Sequence, residues 1–374
     1  MSFYKIGLKG DLVYALDIQN IISPTPIQSL SIPEILKGHD LLAEAQTGTG
    51  KTLAFLLPMF QTIEFENPNI QAMVITPTRE LAIQITAEAR KLAEILPINI
   101  LAAYGGQDVN AQLHKLKGDI QLVIGTPGRI LDHLRRGSIV CDHLKMFVVD
   151  EADQLFHIGF KKELKEIIKQ LPKERQTLCF SATLSHRVGS FTNHYLSNPV
   201  HVKAPKKQIT LENITQLVIE TSNRKKMDDF ETLLKKEKPV KAIVFCRSRR
   251  GTQSLCDEMK EKGYNVESLH GELSQAKREF NMTAFKENKI QYLIATDVAA
   301  RGLDVQGVSH VFNYNLPDDI ENYVHRIGRT GRAGQDGKSF IIYTKKDENR
   351  LVEIETFINM TLNKMSIEDY LKEV

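Results

Sequence analysis

The chain has 374 residues, 42% hydrophobic and 25% charged, a composition typical of a globular protein with apolar residues enough for about two domains. Its formal net charge of +3 excludes a polyanion-binding surface over the whole molecule, so any nucleic-acid contact should be confined to a patch. No segment reaches the roughly 20 apolar residues of a membrane span, and no signal peptide is evident, so we expect a cytoplasmic protein without a membrane partner.

The four cysteines show neither a C-x-x-C pair nor the spacing of zinc ligands. Two of them, Cys179 and Cys246, fall within apolar runs that are typical of buried strands. We therefore expect reduced thiols in the core and no structural metal.

Short apolar runs alternate with amphipathic helical patterns along the chain. Runs typical of buried strands occupy residues 72–76, 122–124, 146–149, 178–180, 242–245, 292–295, 308–313 and 339–343. Helical patterns occupy residues 80–96, 161–171, 251–262, 275–287 and 346–359, and only a short tail is expected after the last of them. This alternation predicts an α/β fold with parallel sheets covered by helices on both faces.

The polar, lysine-rich stretch KAPKKQ at residues 203–208 has no apolar period and is typical of a domain boundary. We expect a first domain of residues 1–203, a linker of residues 204–210, and a second domain of residues 211–374.

Residues 45–52 read AQTGTGKT and precede an apolar helical segment. A glycine-rich turn before a helix points backbone N–H groups at phosphate oxygens, and the helix dipole adds to the attraction. Lys51 would reach the β- and γ-phosphates of ATP, and the Thr52 hydroxyl would bind Mg2+. The cradle would consist of Gln46, Thr47, Gly48, Thr49 and Gly50. Residues 45–52 thus match the P-loop, the phosphate-binding motif of many ATPases, and we refer to them by that name. Because Ala45 replaces the usual first glycine of this motif, the match alone is only suggestive of a nucleotide site.

A second motif follows the apolar run at residues 147–149, which ends at Asp150 and Glu151. In a P-loop fold an acid at the end of such a strand holds the magnesium shell. Asp150 would serve the metal, and Glu151 would orient and deprotonate the attacking water. Asp150 could instead cap the next helix, but the P-loop predicts an acid at a strand end.

Residues 325–332, HRIGRTGR, place Arg329 and Arg332 three positions apart in a segment broken by glycines. Alone, this cluster would be interpreted as a basic surface loop. Beside a P-loop the two arginines are interpreted as fingers that complete the ATP site when the second domain closes on the first, an effect worth about 10³–10⁵ in rate.

Together these motifs resemble the DEAD-box ATP-dependent RNA helicase family, in its short, core-only bacterial form. The family's motifs occur in order: PTREL at residues 77–81, GG at 105–106, TPGR at 126–129, DEAD at 150–153, SAT at 181–183, Gln275 with Arg278, and ARGLD at 300–304. The resemblance implies two tandem RecA-like domains, each a mostly parallel sheet flanked by helices, with ATP between them and single-stranded or short duplex RNA across both.

The resemblance also implies further nucleotide contacts. Gln28 would read the adenine edge and Phe3 would pack on the base, although on chemistry alone they are more often a solvated glutamine and an apolar anchor. Asn20 and Ile21 depart from the glycine and the aromatic residue that are usual there. The resemblance implies that Gly302 and Asp304 contact the ribose of the nucleotide. It also implies a hydrogen-bond network that couples ATP binding to RNA binding and consists of Asp153, Ser181, Thr183 and His325.

The sequence has no tryptophan and 7% aromatic residues, and no stretch interleaves basic with aromatic residues as a base-stacking platform does. The residues that match the family's RNA contacts are Thr78, Arg79, Gly106, Thr126, Gly128, Arg129, Arg278 and Thr296. Their N–H, hydroxyl and guanidinium groups suit phosphates and 2′-hydroxyls, which implies low sequence specificity. Taken alone, Arg79 and Arg129 fit structural salt bridges equally well.

We therefore expect a monomeric, RNA-dependent ATPase that uses ATP and Mg2+ to separate short RNA duplexes or remodel RNA–protein particles. Analogy with short bacterial members suggests ribosomal precursor particles as partners, in ribosome assembly or cold growth. One alternative is a non-enzymatic, ATP-gated RNA clamp or annealing chaperone, which a test of RNA-stimulated phosphate release would distinguish. Another is a DNA translocase, against which the DEAD motif and Gln28 argue.

Overall fold

The computed structural model describes residues 2–46, 48–105, 118–205, 214–300, 305, 307–331 and 336–372. The chain divides into two compact units, Met1–Lys207 and Gln208–Val374. Each unit contains its own parallel sheet and its own hydrophobic core. Of the helices in these ranges, none is both long enough and apolar enough to cross a membrane.

The first unit is built on a seven-stranded parallel sheet. Its strands are β1 Leu41–Glu44, β2 Ala72–Ile75, β3 Ile100–Ala103, β4 Leu122–Gly125, β5 Met146–Val149, β6 Gln176–Ser181 and β7 Val200–Lys203. Their order across the sheet is β3-β4-β2-β5-β6-β1-β7. All residues of β2, β4 and β5 are buried, which is why these strands appear in the sequence as continuous apolar runs.

Helices cover both faces of this sheet. They are a 3-10 turn Tyr4–Ile6, α1 Gly10–Ile18, α2 Pro26–Leu36, α3 Lys51–Thr62, α4 Arg79–Ala93, α5 Pro127–Arg135, α6 Ala152–Ile158, α7 Lys161–Ile168 and α8 His186–Tyr195. Met146 and Val148 of β5 pack into one apolar cluster, and Phe147 and Val149 pack into another. Because successive side chains of a strand point to opposite faces, two clusters mean that the sheet is buried on both sides.

The second unit repeats this plan. Its strands are β8 Ile214–Glu220, β9 Ala242–Phe245, β10 Val266–Leu269, β11 Tyr292–Ala295, β12 His310–Asn313, β13 Gly337–Tyr343 and β14 Asn363–Ser366. Its helices are α9 Lys226–Glu237, α10 Arg249–Glu261, α11 Gln275–Lys286, α12 Asp297–Ala300, α13 Glu321–Ile327, α14 Glu348–Ile358 and α15 Ile367–Lys372, with a 3-10 turn at Lys345–Asp347. The strand order is β10-β11-β9-β12-β13-β8-β14.

The two sheets have equivalent strand orders. Each strand of the first sheet has a counterpart seven places later in the strand numbering, so that β8 takes the position of β1 and β12 that of β5. The loops at the carboxyl ends of corresponding strands therefore lie at corresponding places in the two units.

The predicted fold class is confirmed, because both sheets are parallel and flanked by helices. All four cysteines are free and buried. The last predicted helix corresponds to Glu348–Ile358, but the expectation of only a short tail after it is wrong. Residues 363–366 form β14, which pairs in parallel with β8, and helix α15 follows.

The predicted domain boundary falls near the end of the first sheet. Strand β7 ends at Lys203, and the N–H of Ala204 still donates to the Glu44 carbonyl oxygen at 3.0 Å. Residues 206–210 of the predicted linker lie outside the described residues. The ranges 1–203, 204–210 and 211–374 therefore stay predictions.

Candidate functional site

Apart from Phe3 and Gln28, the predicted site residues of the first unit that the structure describes collect at the carboxyl edge of its sheet. The nucleotide candidates follow β1 and β5, and Ser181 ends β6; these three strands are neighbours. The RNA candidates follow β2 and β4, and Gly105 lies beyond the end of β3; these strands form the other part of the sheet. Parallel strands end at one edge, so the topology groups the predicted nucleotide residues on one half of this edge and the predicted RNA residues on the other. We name these the nucleotide half and the RNA half after the predictions. Gly106 lies outside the described residues.

The loop after β1 has the backbone shape of a phosphate cradle. Gly48 and Gly50 have φ angles of +76° and +92°, in the left-handed region that favours glycine. Helix α3 begins directly afterwards at Lys51, which places a helix N-terminus behind the loop. The Thr49 hydroxyl donates to the Gln46 carbonyl oxygen at 2.7 Å and tightens the turn. Thr47 lies outside the described residues.

Lys51 is a buried cation at the start of α3. Its side chain is 6% exposed, and within the described parts of the chain its Nζ has no hydrogen bond. A buried ammonium group needs charge compensation. The phosphates of a nucleotide would supply both the charge and the acceptors, so this residue fits the predicted role.

Asp150 and Glu151 follow β5 in the same half of the edge. Burial raises the pKa of the Asp150 carboxyl, and the neighbouring Lys51 opposes that rise. The Glu151 N–H donates to Asp150 Oδ1 at 3.0 Å. Glu151 itself has φ +50°, a conformation that is strained for a non-glycine residue and common at functional sites.

The donor set around Asp150 fits Mg2+. Among the described residues, no group of three or more His, Cys, Asp or Glu side chains could hold a metal by itself. Mg2+ usually takes only one or two protein carboxylates and completes its shell with substrate phosphates and water. Asp150 and the half-buried Thr52, the second residue of α3, supply oxygen ligands of this kind.

The side chains of Asp153, Ser181 and Thr183 join the start of α6, just after the loop of Asp150 and Glu151, to the end of β6. Thr183 Oγ1 donates to Asp153 Oδ2 at 3.2 Å, and the Asp153 N–H donates to Ser181 Oγ at 3.3 Å. Ser181 Oγ donates in turn to the Thr183 carbonyl oxygen at 2.7 Å. The Ala45 N–H donates to the Ser181 carbonyl oxygen at 2.9 Å, so this group of residues contacts the base of the P-loop.

Gln28 lies against the P-loop. Its Nε2 donates to the Gly50 carbonyl oxygen at 3.0 Å, and its Oε1 accepts from the Thr25 N–H at 2.9 Å. A Cβ at position 50 would lie 2.6 Å from Nε2, so this close approach requires glycine. The amide retains one N–H and one lone pair for a base.

The structure places Phe3 in the core, where its ring is 2% exposed. Its adenine-packing role stays a prediction. Asn20 has φ +58°, which asparagine tolerates better than most residues, so its departure from glycine preserves the turn. Ile21 packs against the same core cluster as Phe3.

In the RNA half, Thr78 caps helix α4, since its Oγ1 accepts from the Leu81 N–H at 3.3 Å. The half-buried Arg79 lies beside Gly105: a Cβ built on this glycine would be 2.8 Å from the arginine Nη2. Gly105 therefore leaves the space in which the guanidinium group rests.

Strand β4 ends in a second close approach. A Cβ on Gly125 would lie 2.1 Å from the Ala103 carbonyl oxygen, which also accepts from the Thr126 N–H at 3.0 Å. Helix α5 begins directly after Thr126 and places Gly128, which is exposed, and Arg129, which is half-buried, in its first turn. This turn presents backbone N–H groups that suit a phosphate.

In the second unit, Arg278 lies in the first turn of α11 and Thr296 follows β11. His325 lies in α13, and its carbonyl oxygen accepts from Arg329 Nε at 3.2 Å. Arg329 is 7% exposed. Gly302, Asp304 and Arg332 lie outside the described residues.

Sequence reasoning missed Arg326, which is 1% exposed. Its guanidinium group binds Asp297 through two hydrogen bonds, of 2.5 and 2.7 Å, and donates to the Asn315 carbonyl oxygen at 2.6 Å. It also lies 4.9 Å from the centre of the Phe245 ring. These contacts fix α13, which carries His325. The sequence does show a basic segment with three arginines. Its periodicity, however, does not tell which of the three arginines is buried.

Comparison with known proteins agrees with this geometry. The family model for DEAD/DEAH box helicases matches residues 25–191, and that for the helicase conserved C-terminal domain matches residues 225–334. The DEAD-box ATP-dependent RNA helicase CshA of Bacillus subtilis (strain 168) is 42% identical over 98% of this chain and 74% of its own length. CshA of Geobacillus kaustophilus is 41% identical over 97% of this chain and 78% of its own length.

Solved structures are similar as well. S. cerevisiae Dbp5 bound to RNA and ADP BeF3 has a TM-score of 0.89 at 29% identity, covering 99% of this chain and 97% of that one. Mss116p bound to single-stranded RNA and AMP-PNP has a TM-score of 0.85 at 30% identity, covering 97% and 78%. The chain therefore belongs to the DEAD-box family and is an ATP-dependent RNA helicase built from two tandem RecA-like domains.

Proposed function

We propose that this helicase binds the RNA backbone without sequence specificity and separates short duplexes locally when ATP closes its two domains. The observation that carries the proposal is the divided carboxyl edge of the first sheet. Nucleotide candidates follow β1, β5 and β6, and RNA candidates lie beyond β2, β3 and β4. In this proposal one sheet carries both ligand sites.

On the nucleotide half, Lys51 binds the β- and γ-phosphates of ATP, with the Gln46–Gly50 loop as cradle. Asp150 and Thr52 would hold Mg2+, which would supply positive charge against the phosphates. Glu151 orients the attacking water and accepts its proton. Gln28 reads the adenine, and Phe3 packs near it.

The second domain completes the site on closure. Gly302 and Asp304 contact the ribose, and Arg329 and Arg332 reach the γ-phosphate, where charge develops during hydrolysis. The ion pair of the buried Arg326 with the half-buried Asp297 holds the helix that precedes Arg329. His325, from the same helix, joins the coupling network of Asp153, Ser181 and Thr183.

RNA contacts come from Thr78, Arg79, Gly106, Thr126, Gly128 and Arg129 of the first domain and from Arg278 and Thr296 of the second. These groups suit phosphates and 2′-hydroxyls. Each phosphate contact on a single strand should change the slope of log affinity against log salt by about −0.7. Separating one base-pair step costs roughly 1.4 kcal/mol if the mean stacking free energy of DNA is taken as a guide. Short duplexes are therefore the expected substrates.

ATP and RNA both bind across the two domains in this scheme. Each ligand favours the closed form and, by linkage, strengthens the binding of the other. A closed surface that fits only a single strand excludes the partner strand and opens a few base pairs. Hydrolysis then returns the domains to the open form.

The substitution Glu151→Gln tests the assignment of the catalytic base. It should abolish ATP turnover, because an amide cannot accept the proton of water, and preserve ATP-dependent retention of RNA. Glu88→Gln on α4, a half-buried glutamate paired with Lys91, is the matched control and should hydrolyse ATP like the parent. Turnover by the Glu151 variant at the parent rate would show that another group activates water.

We further propose that the protein acts as a monomer on ribosomal precursor particles and other structured RNA. These proposals rest on the resemblance to short bacterial family members. The cytoplasmic location also stays a prediction of the sequence. Crosslinking the protein to RNA in cells, followed by sequencing of the bound fragments, tests the choice of target.

A further inference from the structure

A polar cavity of about 480 Å³ opens at the carboxyl edge of the second sheet. Its lining includes Asn223, Lys226, Arg247, Asn315, Thr344 and Arg350. This volume falls in the range of small-molecule sites, about 300–1,000 Å³. The residues are separate from those that we assign to ATP and RNA.

The cavity corresponds in topology to the P-loop of the first unit. Strand β8 takes the position of β1, and the short loop after it leads into helix α9. Helix α9 begins at Lys226, as helix α3 begins at Lys51. Lys226 is therefore the positional counterpart of the phosphate-binding lysine.

Lys226 is 9% exposed and lines the cavity. In the described ranges its ammonium group makes no hydrogen bond and no ion pair, and its contact is the Tyr314 ring, whose centre is 4.9 Å away. Burial lowers the pKa of Lys226, Asp347 opposes this, and the positive charge of Arg247 lowers it further. Arg247 pairs with the exposed Asp318 at 3.1 Å, and this exposed ion pair offsets little of its charge. Lys226 and Arg247 are thus two cations that line one cavity, which favours an anion between them.

The acidic groups of the cavity are already engaged. Asp347 Oδ2 accepts from the Thr344 N–H at 3.1 Å and from the Thr344 hydroxyl at 2.7 Å. Glu353 pairs with Arg350 at 2.8 Å. The lining carries more cations than anions, so the field in the cavity is positive; the cations are Lys226, Arg247, Lys346 and Arg350, and the anions are Asp347 and Glu353.

The cavity differs from the P-loop site in two respects that decide its chemistry. Residues 221–225, TSNRK, contain no glycine, so a tight backbone cradle is not expected and side chains must hold the ligand. Tyr314 and Asn315 follow β12 where Asp150 and Glu151 follow β5. The cavity thus lacks the counterparts of the magnesium ligand and of the general base.

We propose that this cavity, named the Lys226 pocket, binds a small phosphoanion of more than one negative charge, without magnesium and without hydrolysing it. The ligand contacts Lys226 at the start of α9, with Arg247 and Arg350 on either side. Charge-assisted hydrogen bonds to phosphate oxygens supply the affinity.

The test uses inorganic pyrophosphate, titrated calorimetrically in EDTA into the full chain carrying Lys51→Ala, which weakens the P-loop site. This protein should bind one pyrophosphate. Adding Lys226→Met should weaken binding by about tenfold or more, since a charge-assisted contact is lost. Lys235→Met, on the same helix but paired with Glu231, is the matched control and should bind like its parent. Arg350→Gln, at the rim, should weaken binding with less effect on packing.

The proposal is wrong if the Lys51→Ala protein does not bind pyrophosphate in EDTA, or if the Lys226→Met and Lys235→Met variants bind it equally. A third result also overturns it. If Lys226→Met lowers RNA affinity and leaves pyrophosphate binding unchanged, the pocket is a contact for RNA phosphates and not a separate site.

Discussion

The side-chain amide of Gln28 donates a hydrogen bond of 3.0 Å to the carbonyl oxygen of Gly50 and thereby holds the last residue of the P-loop. The same amide accepts from the Thr25 N–H, so one buried side chain connects the start of α2 to the phosphate cradle. Gln28 can therefore influence ATP binding through the shape of the loop as well as through the base.

The substitution Gln28→Ala should raise the KM for ATP about tenfold, because a buried hydrogen bond of about 1–1.5 kcal/mol is lost. Steady-state ATPase assays with saturating RNA measure this. Gln61→Ala is the matched control, since Gln61 also bridges two backbone groups, the Lys9 N–H and the Gly7 carbonyl oxygen, away from the P-loop. Equal KM values for the two variants would show that the Gln28 contact has no role in ATP binding.

Gly105 leaves space for the Arg79 guanidinium group, whose Nη2 would be 2.8 Å from an added Cβ. The substitution Gly105→Ala should displace Arg79 and weaken RNA binding by about tenfold, if that residue binds a phosphate through a charge-assisted contact. ATP binding without RNA should be unchanged, because these residues lie in the RNA half.

Fluorescence anisotropy with labelled single-stranded RNA measures the effect. Gly189→Ala in α8, where an added Cβ meets no atom within 4 Å, serves as the control. RNA affinity that is the same for both variants would remove Arg79 from the proposed contacts.

Glu237 is a buried carboxylate at the end of α9 that should make the stability of the second unit depend on pH. Burial would raise its pKa, but hydrogen bonds from His310, Lys338 and Tyr370 outweigh burial and lower the pKa from 4.5 to about 2. A carboxyl group with a lowered pKa stabilises the fold above pH 4.5, and this stabilisation is lost as pH falls from 4.5 towards 2.

The substitution Glu237→Gln should therefore reduce the free energy of unfolding at neutral pH and flatten its decrease between pH 4.5 and 2. Urea unfolding over a pH series measures both effects. Glu261→Gln, an exposed glutamate at the end of α10, should follow the parent curve. Parallel curves for parent and Glu237 variant would exclude this linkage.

The sequence predicts the strands that are buried on both faces, because β2, β4, β5, β9 and β11 appear as continuous apolar runs. It does not predict β1, β3, β7 and β8. It also does not predict β10 and β14, whose sequences VESL and NKMS mix polar residues with apolar ones. Strands β10 and β14 lie at the sheet edges. The side chains of β14 are exposed or half-buried, and β10 is mostly buried but contains Glu267 and Ser268, so the apolar signal of both is weak. Their pairing is set by tertiary contacts.

The P-loop and the acidic motif could be located from the sequence because their chemistry requires fixed residue types at fixed spacing. Their grouping on one half of the sheet edge could not, since it depends on the strand order. The burial of Arg326 was likewise invisible, because its partner Asp297 lies 29 residues away in the sequence.

We propose that ATP binding and RNA binding are coupled through Thr183, whose hydroxyl donates to Asp153 Oδ2 at 3.2 Å. The direct measurement is the Kd for single-stranded RNA with and without a non-hydrolysable ATP analogue, in the parent and in Thr183→Val. Thr192→Val, which removes a hydroxyl bonded to the Gly189 carbonyl oxygen, is the control.

In the parent and the control, the analogue should tighten RNA binding by a factor within the usual range for coupled sites, about 5–150. In Thr183→Val this factor should fall towards one, while RNA affinity without nucleotide stays near the parent value. An unchanged factor in Thr183→Val would contradict the account.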